Sequence, residues 1–351
     1  MKVRIKKSVW SSKFYIPDQR KKVRKLFKRK NSKNFHKYKH KKPKNPYAKK
    51  SHRRINMSAK MDFPKHIKKI NNFIHDCEKY QNHYKLSMDL RNVSEINNAA
   101  ILLLTANLDR IFEKKLVKRK AISPKSDIDD RLAAIGFWDV VCVNPPVYDK
   151  DSRYLRIIKM NSPRIENNGF HQEIIDFFSE AHNIEYNYKD KLFDAVYEAC
   201  TNSIEHAYNE NEQNKRVWFL GSYDENSREL EFIFYDVGMG IFTSLGKQTS
   251  KFKLLLRYLK IFGKDKTLEK LCTTRLSRYK KDPTQTSRGA GMISFKEFIE
   301  AISQTREAEL EIFTENLLYS TKNGVTKLDS PIVGTLIRWV IGDRYGQNLR
   351  V

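Results

Sequence analysis

From Pro64 to Tyr80 the apolar positions Ile67, Ile70, Phe73, Ile74 and Cys77 return at intervals of three and four. That period predicts an amphipathic helix, with Pro64 suited to its first turn. The following YKLSMDL alternates like a strand, and NNAAILLLTANLDRIFEKKL reads as a long helix that is apolar on more than one face. IDDRLAAIGFWDVV predicts a further short helix, closed by Gly136 and followed by an apolar strand. Strand, helix, strand, helix implies an α/β layer.

Between Cys142 and about Gly169 the chain turns polar and carries Pro145, Pro146 and Pro163, so a linker or loosely paired strands are expected there. Beyond it, a helix is predicted from near Asp190 to about Tyr208. At 100° per residue, Leu192, Val196, Ala199, Cys200, Ile204 and Ala207 share an apolar arc, and Glu198, Asn202 and His206 form a polar row on its flank. KRVWFLGSYDENSRELEFIFYDVGMGI then reads as two strands joined by a polar turn at Asp224 to Ser227, MISFKEFIEAIS as an amphipathic helix, and PIVGTLIRWVI as a closing strand. The interval from Ile241 to Arg288 is basic, and its length and Gly263 suggest two short helices.

A chain of 351 residues with 20 Phe and 17 Tyr has enough apolar bulk for two cores. The organisation expected is a basic arm over 1–55, an α/β domain over 56–160 and a second α/β domain over 165–345. The charge supports the arm. Residues 1–54 hold 23 Lys or Arg against the single acid Asp18, whereas the rest of the chain holds 45 basic and 40 acidic residues. So basic a segment cannot bury enough apolar area to offset its ordering, and it is expected to be disordered alone, with nucleic-acid phosphates as its partner and its aromatics stacking on bases. No apolar run is long enough for a membrane span and no secretion signal opens the chain, so a cytoplasmic protein without a membrane partner is expected. The cysteines Cys77, Cys142, Cys200 and Cys272 form no CxxC pair, which argues against a zinc ribbon or a redox couple and for reduced, mostly buried thiols.

Four places hold candidate chemistry. Residues four apart on a helix are neighbours, so Glu198, Asn202 and His206 can converge on one small polar object. An Asn oxygen is a hard ligand for magnesium, and a Glu can take a proton from an attacking water or hydroxyl. A plain amphipathic helix with a wet edge would carry the same three residues. D-x-G-x-G at Asp236, Gly238 and Gly240 ends a strand; glycine lets the backbone approach a ligand, and the carboxylate can accept from an exocyclic amine. Gly289 and Gly291, with Arg288 beside them, precede a helix whose N-terminus favours phosphate. Gly334 and Thr335 enter the last strand, where a hydroxyl can serve a ring nitrogen.

The order of these four, a helical E-x-x-x-N, D-x-G-x-G after a strand pair, G-x-G at a helix start and Gly-Thr on a strand, resembles the GHKL ATP-binding family over about residues 165 to 345. Within that family EACTNSIEHAY is most similar to the anti-sigma-factor serine kinases. LSMDLRNVSEINNAAILLLTANLDRI resembles the strand, loop and central helix of a STAS-like domain, although Asn97 and Asn98 stand where its phosphorylatable Ser or Thr would fall. The resemblance implies a two-layer α/β sandwich that takes ATP and magnesium. Glu198 would be the general base, Asn202 the magnesium ligand, Asp236 the adenine carboxylate beside Gly238 and Gly240, and Gly289 and Gly291 the phosphate loop beside Arg288. Thr335 would be the hydroxyl near adenine, His206 a further turn along the same helix, and residues 241–288 the ATP lid. The function expected is a nucleotide-gated switch with slow hydrolysis. A serine/threonine protein kinase and a module that binds ATP or ADP without turnover remain open, as do an unidentified protein partner and a homodimer.

Overall fold

The computed structural model describes residues 51–113, 120–122, 126–141, 149–161, 170–180, 188–209, 212, 215–247, 253–274 and 292–343. From Ser51 onward they belong to one compact unit. Of the arm expected over 1–55 and its nucleic-acid contact over 1–54, residues 1–50 lie outside the described residues.

Two sheets organise this unit. The first is parallel, with strands in the order β1 (His52–Asn56), β2 (Lys85–Asp89) and β3 (Lys120–Ile122). Helix α1 (Ile67–Tyr80) connects β1 to β2, and α2 (Asn98–Glu113) connects β2 to β3. Parallel neighbours need such crossovers. The expected face of α1 is the one it buries: Ile67, Ile70, Phe73, Ile74 and Cys77. His52–Asn56 falls in the stretch that composition assigns to the arm, yet Ile55 is buried and the strand pairs with β2 in register Arg54 with Ser87. A partner strand supplies the hydrogen bonds that the segment lacks alone.

The second sheet has seven antiparallel strands. Its order is β4 (Tyr154–Asn161), β5 (Arg216–Asp224), β6 (Glu229–Asp236), β10 (Thr335–Gly342), β7 (Glu307–Thr314), β8 (Leu317–Ser320) and β9 (Gly324–Lys327). β5 and β6 form the expected hairpin, whose turn is closed by Asp224 accepting the N–H groups of Asn226 and Ser227. β4 occupies the stretch expected to be a linker or loosely paired strands, and forms an edge strand on β5 with a register shift between Leu155 and Ile158.

Side chains alternate across this sheet. Trp218, Leu220, Ile233, Tyr235, Phe313 and Leu336 face one way, into the core that also contains α1, α2 and the parallel sheet. Val217, Phe219, Phe232, Phe234, Ile337 and Trp339 face the other way, onto α5 (Phe170–Glu180), α6 (Lys189–Asn202) and α9 (Ile293–Ile302). Both faces are covered, which explains strands written as unbroken apolar runs such as VWFL and FIFY. It also explains α2. Its residues 99–109 are all buried, Thr105, Asn107 and Asp109 among them, because α2 packs on α1 while its other side lies on β5 and β6. The two sheets therefore share a core.

Gly136 closes α3 (Ser126–Ile135) as expected, but Phe137–Val141 forms the short helix α4 instead of a strand. Its apolar residues are not alternating: Phe137, Trp138 and Val141 are buried at helical spacing. After β6 come α7 (Ile241–Lys247) and α8 (Lys253–Thr273), which is two helices broken at Gly263, where φ is +78°. Cys77, Cys200 and Cys272 are buried free thiols whose pKa values burial raises, while Cys142 lies outside the described residues. No described helix is long and apolar enough to cross a membrane.

Candidate functional site

Helix α6 lies on the sheet through Leu192, Ala195, Val196, Ala199 and Cys200. It does not stop at Asn202. One π turn, Ser203–Ala207, extends it to Tyr208. A π turn holds one residue more than an α turn, so it rotates everything beyond it. Ser203, the first residue of that turn and within the apolar arc, is 4% exposed, while Ile204, assigned by a 100° step to the same arc, is only half-buried.

Ser203 meets Asp236. Its hydroxyl donates to Asp236 Oδ2 at 2.9 Å, and the Gly238 N–H donates to Asp236 Oδ1 at 2.8 Å. Asp236 ends β6 in the middle of the sheet, opposite Val217 on one neighbour and Thr335 on the other, and is 2% exposed. Burial raises its pKa from 3.8 to about 6, opposed by the N–H of Gly238, the Ser203 hydroxyl and the N–H of Thr335. A carboxylate held this deep with three donors, and no cation among the groups that shift it, is a polar centre in an otherwise apolar wall.

Two glycines make the wall possible. A Cβ on Gly238 would sit 2.4 Å from the Ala207 carbonyl oxygen, and the adjacent Met239 N–H donates to that same oxygen at 2.7 Å, tying the D-x-G-x-G turn to the π turn. A Cβ on Gly334 would sit 1.9 Å from the Asp236 carbonyl oxygen, and Gly334 has φ +77°. Beyond them, Thr314 Oγ1 accepts the Ile241 N–H at 3.1 Å just after Gly240. Tyr208 donates to the Arg216 carbonyl; burial raises its phenol pKa, and the Asp236 charge adds to the rise.

The expected polar row is brought together in part. The Asn202 amide donates to Glu198 Oε1 at 3.2 Å, as residues four apart on a regular helix can. His206 belongs to the π turn, and its Nε2 lies 3.8 Å from Glu205 Oε2. Thr335 is buried at the start of β10, between Asp236 and Thr314 on the neighbouring strands. Arg288, Gly289 and Gly291 lie outside the described residues. Asp236, Gly238, Gly240 and Thr335 thus stand at one end of the sheet, and Ser203 ties Asp236 to the helix that carries Glu198 and Asn202.

Ser203 and Tyr208 complete this arrangement and were not among the candidate residues, whereas Gly334 was named with Thr335. Ser203 did leave a signal, a hydroxyl within an apolar arc, three residues beyond Cys200. Among the described residues no three His, Cys, Asp or Glu side chains group to hold a metal ion. A metal beside Asn202 would therefore take most of its ligands from elsewhere, as magnesium does with phosphate oxygens. An open, polar cavity of about 410 Å³ is lined by Asp130, Ala134 and Asp149–Arg153, and by none of the residues above.

A scan of family models found none that matches the chain, and a search of curated proteins found no match either.

Proposed function

We propose that this protein binds ATP with magnesium at the end of the seven-stranded sheet, as a GHKL-type nucleotide switch coupled to a STAS-like layer. The observation that carries the reading is the buried Asp236 carboxylate, held by Ser203 and Gly238 and crossed by two glycines whose replacement would collide with neighbouring backbone. A fully buried acid with a raised pKa is costly for a fold to keep, and a purine amine is the kind of donor that would compensate it. Glu198 and Asn202 suit the triphosphate end: they precede Ser203 on the same helix and already meet each other at 3.2 Å. Thr335, opposite Asp236, has a hydroxyl suited to a ring nitrogen.

In this reading Asp236 selects the base and Asn202 serves the metal. Magnesium, when bound, would neutralise phosphate charge. Glu198 orients a water or a partner's hydroxyl and takes its proton. Because Asp236 is 2% exposed, entry of the base requires the Gly238–Gly240 turn and the α7–α8 segment that follows it to shift, which gives ATP different affinities for two conformations. Calorimetry with ATP, with and without magnesium, tests the binding; absence of heat from well-folded protein refutes it. Labelled ATP then separates the outcomes: released phosphate marks hydrolysis, label on a partner marks a kinase, and intact nucleotide marks binding alone. Glu198→Gln is expected to abolish release or transfer while leaving ATP affinity within about threefold, since it removes a proton acceptor and keeps the side-chain shape.

A further inference from the structure

We infer that Tyr235 is a positioning residue for Asp236, through which the long helix α2 of the parallel-sheet layer sets the geometry of the candidate nucleotide site. Three observations carry this. Asn107, buried in the middle of α2, donates through Nδ2 to the Tyr235 hydroxyl at 3.0 Å and to the Leu103 carbonyl at 2.9 Å. The Tyr235 hydroxyl in turn donates to the Val333 carbonyl at 2.7 Å. Val333 precedes Gly334, the residue pressed so closely on the Asp236 carbonyl that no side chain fits between them.

The tie runs from a helix of the other layer, through the sheet, to the turn that closes over Asp236. Tyr235 and Asp236 are adjacent in β6, so their side chains point to opposite faces: the hydroxyl works on the α2 side and the carboxylate on the α6 side. The Val333–Gly334 turn is held by the strand pairing of Thr335 with Asp236 and by the hydroxyl of Tyr235, and the residues before it by the Ile332 N–H on the Glu315 carbonyl at 2.8 Å and the Asn71 amide of α1 on the Pro331 carbonyl at 2.7 Å. Removing the Tyr235 hydroxyl takes away the side-chain hydrogen bond made at Val333 itself. Movement of α2 relative to the sheet would pull on the same turn. Affinity at the site and the state of the parallel-sheet layer are then coupled in both directions.

The test uses the full chain with Tyr235→Phe, which removes one oxygen from a fully buried ring. A second variant, Asn107→Leu with Tyr235→Phe, leaves no orphaned donor and guards against a simple packing failure. Hydrogen exchange of the 333–336 segment should accelerate about tenfold in both, as loss of one hydrogen bond permits, with β8 and β9 unchanged. The fall in stability between pH 4 and 6 that belongs to Asp236 should flatten as water reaches it; the described ionisable groups that feel its charge are Tyr208 and Tyr235. Only the last readout rests on the nucleotide reading: ATP should bind about tenfold more weakly. Unchanged exchange and an unchanged pH profile overturn the inference, as does exchange that accelerates equally across the whole sheet. Unaltered ATP affinity in variants whose turn has loosened overturns the link to the site. If the unsubstituted chain takes no ATP while exchange and pH profile change as stated, the positioning of Asp236 stands and the nucleotide reading falls alone.

Discussion

Replacing Asp236 by Asn separates the cost of the site from its use. The folded chain raises this carboxyl from 3.8 to about 6, so folding takes up a proton between those values. The sign follows: a group that holds its proton more tightly when folded makes the fold most stable when that proton is present, and stability declines as pH rises from about 4 to about 6. Two pKa units correspond to roughly 3 kcal/mol, of which a flexible site would realise less. Asn has the same shape and no titration. Its carbonyl can accept the Gly238 N–H, and its amide can donate to Ser203, whose hydroxyl can turn to accept. The stability of Asp236→Asn relative to the parent should therefore rise by about 2 to 3 kcal/mol between pH 4 and pH 7, while ATP affinity is lost. Urea unfolding at half-unit pH steps, followed through the buried Trp138, Trp218 and Trp339, measures the difference directly. Two stability curves that run parallel from pH 4 to pH 7 would refute the reasoning, whatever happens to nucleotide binding.

Ser203→Ala removes a donor to the ionised carboxylate and should cost about 1.5 to 3 kcal/mol at pH 8, a loss that shrinks below pH 5 where the acid is neutral; urea unfolding at the two pH values checks it. Gly334→Ala places a methyl on a backbone oxygen at a positive φ and should cost more than about 3 kcal/mol, seen as a lower urea midpoint or failure to fold; an unchanged midpoint would contradict the close approach. Deleting residues 1–50 should weaken binding to a polynucleotide column and flatten its salt dependence, and retention that ignores the deletion would remove nucleic acid from the list of partners.

Much of the α/β character could be read from the periodicity of single elements. α1 buries the five residues its spacing named, the hairpin of β5 and β6 turns where Asp224 and its neighbours suggested, and Gly263 breaks α8. What escaped depended on partners distant in sequence. β1 looks like part of the arm until β2 is beside it, and the β4 stretch could not be told from a linker until β5 offers an edge. Phe137–Val141 is too short to distinguish helix from strand by pattern. At the site, Asp236, Gly238 and the Glu198–Asn202 pair were visible as local motifs. Ser203 showed only as a hydroxyl within the apolar arc, because its partner Asp236 lies far along the chain and only the fold brings the two together.

Burial of α2 on two sides has a consequence for how the molecule comes apart. A helix with almost no wet flank cannot belong to one half and leave the other intact: removing it would strip Trp218, Leu220, Ile233 and Tyr235 of their cover, and keeping it without β5 and β6 would present a greasy rod to water. Fragments cut between the two sheets are therefore expected to aggregate, and the body from Ser51 onward to melt in a single transition.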